Sequence, residues 1–307
     1  MATIALKVDV DTLRGTRAGV PRLLQLLARR GLQATFLFSL GPDHTGWALK
    51  RVLRPGFLGK VSRTSVTRHY GLRTLMYGVL LPAPDIGRRA AAEMRAARDA
   101  GHECGIHCWD HVVWQDGVRT RDAAWTRAQM ALAWQRFGDI FGAAPATHGA
   151  AGWQMNATAL QQLDDWGLAW ASDGRGSGPY RPVVEGRTLA HVQWPTTLPT
   201  LDELIGTEAG ARRITESDVA QALLRRTEAE PDRDQVYTLH AELEGGLLAP
   251  AFEALLDGWR VQGHTLTTLA GLHAANDGIG LPALPLAWGA VPGRSGELVV
   301  APAGLRT

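Results

Sequence analysis

Residues 3–10, TIALKVDV, decide the fold: they are a short apolar run that ends in two carboxylates. A helical pattern, VPRLLQLLARRG, follows over residues 20–31, and a second apolar run, ATFLFSL, occupies 34–40. Strand, helix and strand in that order read as a β-α-β unit with a right-handed crossover. The rhythm continues down the chain. Further strands are predicted at HECGIH, LAWAS, AHVQW, QVYTLHA and HTLTTL, with helices over residues 85–100, 120–141, 155–166, 216–229 and 250–262. About seven or eight such units closing on themselves predict an α/β fold of the (β/α) barrel type, which keeps its chemistry at strand ends. An open doubly wound sheet competes, but the first strand is followed by DVDTLRGT and not by a Gly-rich phosphate loop.

At 307 residues the chain is long enough to bury a core without disulfides or a structural metal. Its net charge of +2 implies no general attraction to nucleic acid, so any basic region must be local. The two cysteines, Cys104 and Cys108, lie too close together to staple distant parts of the fold and suit a reducing cytosol. They read as small buried hydrophobes rather than thiolate ligands. The N-terminus, MATIALKVDV, lacks a charged region followed by an apolar one, and no apolar run reaches the ~18 residues of a membrane span. The expectation is a cytoplasmic protein with neither signal peptide nor transmembrane helix.

One segment breaks the rhythm. Residues 41–84 are far longer than an ordinary connection. From His44 to Pro84 they carry Lys50, Arg51, Arg54, Lys60, Arg63, Arg68 and Arg73 with no acid, interleaved with bulky apolar side chains. That composition suits basic amphipathic helices lying on an anionic membrane, with Arg51, Arg54, Lys60 and Arg63 as docking contacts. A solvated lid over the active site is the competing reading, and one segment can do both. The barrel is expected to span 1–275, with 43–84 as its insertion. The Pro/Gly/Ala-rich tail, 276–307, is expected to wrap as coil or fray.

Four constellations sit at predicted strand ends. Asp9 and Asp11 are two apart in a strand and share a face; alone, Asp11 could equally cap the next helix. His107 and His111 lie in CGIHCWDH, a spacing that lets both imidazoles reach one ion, although such pairs are often structural. Asp173 in WASDGRG and His240 in YTLHAELEGG each follow an apolar strand. Together they are more specific than any alone. Asp11, His107 and His111 make a His₂-carboxylate metal set, Asp9 remains as a base, and His240 oriented by Asp173 serves as an acid. Trp109, Trp114 and Trp153 can stack on a sugar ring or pack in the core. Glu244 is expected to face solvent.

The order Asp-x-Asp, His-x-x-x-His, Ser-Asp and a late Leu-His resembles the NodB-homology polysaccharide deacetylases, carbohydrate esterase family four. The stretches KVDVDTLRGT, GHECGIHCWDHVVWQ, HGAAGWQMN, ASDGRG and YTLHAELEG resemble the branch that deformylates 4-deoxy-4-formamido-L-arabinose-phosphoundecaprenol in lipid A modification and polymyxin resistance. The resemblance covers roughly residues 3–270. It implies an irregular (β/α)₇ barrel with the basic insertion after its second strand, and one divalent metal ion (Zn, Mn, Co or Ni) on Asp11, His107 and His111. It further implies Asp9 as base, His240 as acid supported by Asp173, and an undecaprenyl-phosphate-linked amino sugar as substrate. The expected location is the cytoplasmic face of the bacterial inner membrane. Many relatives carry a third-motif arginine that steadies the base; THGAAGWQ has none, so His148 or Arg175 is expected in its place. His148, Trp153, Arg175 and Trp109 are the expected substrate contacts. An N-deacetylase of another amino sugar and a non-catalytic glycolipid-binding protein are the alternatives.

Overall fold

A computed structural model of the chain describes residues 2–48, 71–209, 212–276 and 280–302. Six strands carry the centre: β1 (Thr3–Val10), β2 (Thr35–Ser39), β3 (Glu103–Cys108), β4 (Trp170–Ala171), β5 (Val192–Gln193) and β6 (Gln235–His240). β1 pairs in parallel with β6 on one side and β2 on the other, and β2 with β3. Shorter pairings carry the ring onward. Ile106 N donates to Thr147 O, Ser172 N to His148 O, Trp194 N to Ala171 O, and Thr197 N to Val236 O, which returns the path to β6. With residues 147–149 between β3 and β4, these pairings run in a ring among the described segments, in agreement with the barrel that the sequence predicts and the irregular (β/α)₇ form that the resemblance implies.

The pleat sorts each strand into two faces. Ile4, Leu6, Val8 and Val10 of β1 join Phe36, Phe38, Ile106, Tyr237 and Leu239 in one buried apolar cluster. Helices cover that side. α1 (Val20–Arg29) starts with a proline in its first turn, where no backbone N–H is needed, and buries Val20, Leu23, Leu26 and Leu27. The other face of β1 carries Lys7 and Asp9 toward the barrel interior. Polar groups thus lie inside the ring at its C-terminal end, while the apolar layer outside holds the barrel together.

Three expectations need revision. The helix predicted over 85–100 breaks at Ala90 (φ −134°, ψ 25°) into Ile86–Arg89 and Ala91–Asp99. Its first turn is tied to the end of β2, with Ile86 N donating to Gly41 O and Gly87 N to Leu40 O, so it cannot stay coaxial with the second. The tail does not run as coil: Ala283–Pro285 pairs with Arg181–Val184, and Ala287–Ala290 forms a hairpin with Glu297–Val300. Arg175 N donates to Val299 O and Ala301 N to Arg175 O, which docks that hairpin beside β4. Glu244, expected in solvent, is fully buried.

Arg51, Arg54, Lys60 and Arg63 of the insertion lie outside the described residues. Its described ends are anchored: Trp47 Nε1 donates to Gly78 O at 2.6 Å, and His44 bonds Asp110 in the turn after β3. Leu72, Val79 and Leu80 are nevertheless 67%, 53% and 76% exposed. No helix among the described residues is long and apolar enough to cross a membrane.

Candidate active site

β1 delivers two carboxylates to one spot. Asp9 lies within the strand and Asp11 just past it, on the same side by the two-residue period. β3 supplies the first imidazole through an irregularity: Phe38 pairs with Ile106 and Ser39 with Cys108, so His107 is the extra residue of a bulge. Bulges re-aim side chains at sheet ends. The second imidazole opens helix α2 (His111–Gly117), whose N-cap, Asp110, accepts from Val113 N at 3.1 Å. A strand end, a capped turn and a helix start therefore set the His107–His111 spacing.

The result is a compact donor set. Asp11 Oδ1 lies 3.2 Å from His107 Nε2 and 3.5 Å from His111 Nε2, and the three ligand atoms are all within 4.8 Å of one another. His107 Nδ1 donates to Gly149 O at 2.6 Å, so in the neutral ring Nε2 presents a lone pair to the carboxylate. Lone pairs facing each other at this range repel unless a proton or a metal ion is shared between them. Asp11 Oδ1 is buried without a hydrogen-bond partner, an orphan that a divalent ion would satisfy. Burial works against the Asp11 carboxylate, but the imidazoles, His111 foremost, outweigh it and hold its pKa far below the usual range. The residues present fit a divalent metal with open positions.

Asp9 and His240 are cross-strand partners in the β1–β6 register. Asp9 Oδ1 and His240 Nδ1 are both buried without hydrogen-bond partners. Two glutamates brace these strand ends from behind. Glu242 Oε1 accepts from Asp11 N at 3.2 Å, Thr12 N at 2.8 Å and Thr12 Oγ1 at 2.7 Å. Burial, and then the Asp11 charge, push its carboxyl up to about 8. Glu244 accepts from His240 N at 2.8 Å and Tyr237 Oη at 3.1 Å, and burial raises it to about 7.

No family model matches the chain. It is 37% identical over 253 residues to a Shewanella sediminis (strain HAW-EB3) protein named "Probable 4-deoxy-4-formamido-L-arabinose-phosphoundecaprenol deformylase ArnD", covering 82% of this chain and 80% of that one. The chain belongs to this deformylase family. A second member, from Wigglesworthia glossinidia brevipalpis and carrying the same name, is 30% identical over 79% of this chain and 83% of its own. Among solved structures, a Mycobacterium smegmatis protein provisionally named a polysaccharide deacetylase shares the fold, with a TM-score of 0.62 at 17% identity over 89% of each chain.

Within this deformylase chain, several expected contacts fall elsewhere. Asp173 does not orient His240: its Oδ1 takes His148 Nδ1 at 2.6 Å and Ala150 N at 2.9 Å, and its Oδ2 takes Gln193 Nε2 at 2.6 Å. Burial opposes its ionisation, yet His148 holds its pKa below the usual range. His148, committed to that pair, does not reach Asp9. Nor does Arg175, which bonds both oxygens of Glu203 at 2.7 and 3.1 Å. Trp153 is 3% exposed and offers no open sugar platform. The guanidinium groups of Arg175 and Arg294 stack on its ring, and His240 meets it at a steep angle. Trp109 is half-buried under Arg136. The groups that do approach Asp9 are Lys7, with Nζ 3.4 Å from Oδ2, and His107, with Nδ1 3.9 Å from Oδ1. A lysine two residues before Asp9, in the middle of an apolar strand, was the available signal.

Replacing His107 or His111 by alanine should leave a folded protein whose divalent-metal affinity falls by about 100-fold or more, read as metal content after dialysis. Stoichiometric metal in either variant would remove the donor set.

Proposed function

We propose that this chain is a metal-dependent deformylase that hydrolyses the N-formyl group of 4-deoxy-4-formamido-L-arabinose-phosphoundecaprenol, giving formate and the free 4-amino sugar, in lipid A modification and polymyxin resistance. The observation that carries the reading is the convergence of orphaned buried atoms, Asp9 Oδ1, Asp11 Oδ1 and His240 Nδ1, at one end of the barrel in a chain 37% identical to a named deformylase. Asp11, His107 and His111 would hold one divalent ion, Zn, Mn, Co or Ni, since all four accept two imidazoles and a carboxylate. Such an ion, when bound, polarises the formyl carbonyl and acidifies water.

Asp9 Oδ1 takes the proton of the attacking water as its oxygen bonds to the formyl carbon. His240, on the neighbouring strand, delivers a proton to the sugar nitrogen as the C–N bond breaks. That delivery matters because an unprotonated amide nitrogen leaves poorly. Acid and base thus come from paired positions of β1 and β6, and the glutamates behind them keep both strand ends in place.

The substrate's long prenyl chain requires the enzyme to work at the membrane plane. Seven cations without an acid from His44 to Pro84, together with exposed Leu72, Val79 and Leu80, support docking of the insertion on an anionic bilayer at the cytoplasmic face.

Asp9→Asn keeps an oxygen and the side-chain shape but cannot take a proton. It should retain metal while formate release from a short-chain formamido-arabinose phosphoprenol falls by roughly 10²- to 10⁴-fold. Loss of metal instead would make Asp9 a ligand, and wild-type release of acetate from an N-acetyl analogue in preference to formate would change the substrate. Changing Arg51, Arg54, Lys60 and Arg63 to Glu should free the protein from anionic vesicles and spare activity on a water-soluble analogue. Equal losses on soluble and long-prenyl substrates would make the segment a lid.

A further inference from the structure

Lys7 is completely buried in the middle of β1. Removing a charged amine from water costs several kcal/mol unless a partner compensates, and the partner here is Asp9, at 3.4 Å through Oδ2. The contact is an ion pair without a formed hydrogen bond: Nζ is among the buried atoms that lack a hydrogen-bond partner. The site is shaped around this side chain. A Cβ at Gly149 would sit 2.2 Å from Leu37 Cδ1 and 2.9 Å from Lys7 Cε, so the glycine leaves room for the lysine stem and for Leu37 together. Beyond it the Trp153 ring lies 5.5 Å from Nζ, within cation–π range. Trp153 is itself fixed, at a positive φ of 52° and with Nε1 donating to Thr196 Oγ1 at 3.1 Å. A non-glycine residue held there is a strain that surrounding contacts must maintain.

We propose that Lys7 is the positioning residue of the proposed base. Its positive charge holds Asp9 Oδ2, and the carboxylate is thereby turned so that Oδ1, which has no hydrogen-bond partner, is the oxygen left for the substrate water. The strand period does the placing. Lys7, Asp9 and Asp11 are at i, i+2 and i+4, so a positive side chain, a base and a metal-set carboxylate follow one another along one face. Gly149 links the two halves of the site, since its carbonyl takes His107 Nδ1 and its missing side chain admits Lys7. This inference rests on Asp9 being the base, and the experiment separates the two.

Lys7→Met keeps the volume of the stem and removes the charge. The metal-loaded variant should keep its metal content and KM and lose roughly 100-fold in kcat for formate release. In an Asp9→Asn background the same substitution should cost almost nothing further, because Lys7 acts only through Asp9. If Lys7→Met does not fold, Lys7→Ala is assayed with ethylammonium in the buffer. A saturable gain in kcat with the cation, and none with propanol, is the expected result. Multiplying losses in the double variant, a kcat within threefold of wild type, or equal rescue by cation and alcohol would overturn the role of Lys7. Full activity in Asp9→Asn alone would instead overturn the base assignment on which it rests.

Discussion

Two carboxylates on one face of a buried strand end cannot both stay charged unless positive groups stand beside them. That constraint on Asp9 and Asp11 organises the rest of the molecule. Asp9 has Lys7 at 3.4 Å, and Asp11 has His107 and His111 at 3.2 and 3.5 Å. Each of these neighbours comes from a specific structural device: strand periodicity for the positive Lys7, a bulge for His107, a capped helix start for His111, the two imidazoles acting on Asp11 through the cation they can share with it. The apolar side of β1, packed under helices, makes these placements rigid enough for chemistry. Nothing in the apolar layer needs to touch substrate for the site to depend on it.

The sequence made the site's metal end legible because its chemistry rests on local spacing. Asp9 and Asp11 two apart on a strand, and His107 and His111 four apart across a strand–helix junction, can be read without knowing what packs against them. Asp173 was misread for the opposite reason. Its partner was a matter of three-dimensional choice, and His148, one strand away, takes the bond that His240 was expected to have. Arg175 was misread likewise, since Glu203 meets it from residues that sequence spacing does not connect. The tail escaped because its strands are three or four residues long and sit in a Pro/Gly-rich background. Glu244 escaped because an acid after a strand ordinarily points to water, and here it holds the His240 backbone instead.

The two regions at the edge of the barrel have distinct relations to the site. The hairpin near residue 300 is joined to Arg175 by backbone hydrogen bonds, and Arg294 in its turn stacks on Trp153, whose ring His240 meets, so the C-terminal segment packs on the acid side of the site. The insertion meets the metal side, where His44 bonds Asp110, the residue that caps the helix opening with His111. The described end of the insertion and the turn that leads into His111 are therefore in direct contact. The family relationship gives the chemistry its substrate.

The most direct test of this account is anomalous scattering at the absorption edge of the ion in crystals of the metal-loaded protein. The account predicts one peak in contact with Asp11, His107 and His111, with Asp9 making no direct contact and Lys7 still beside it. A peak held by Asp9, or one seated away from the two histidines, would contradict the division of the two carboxylates into base and ligand.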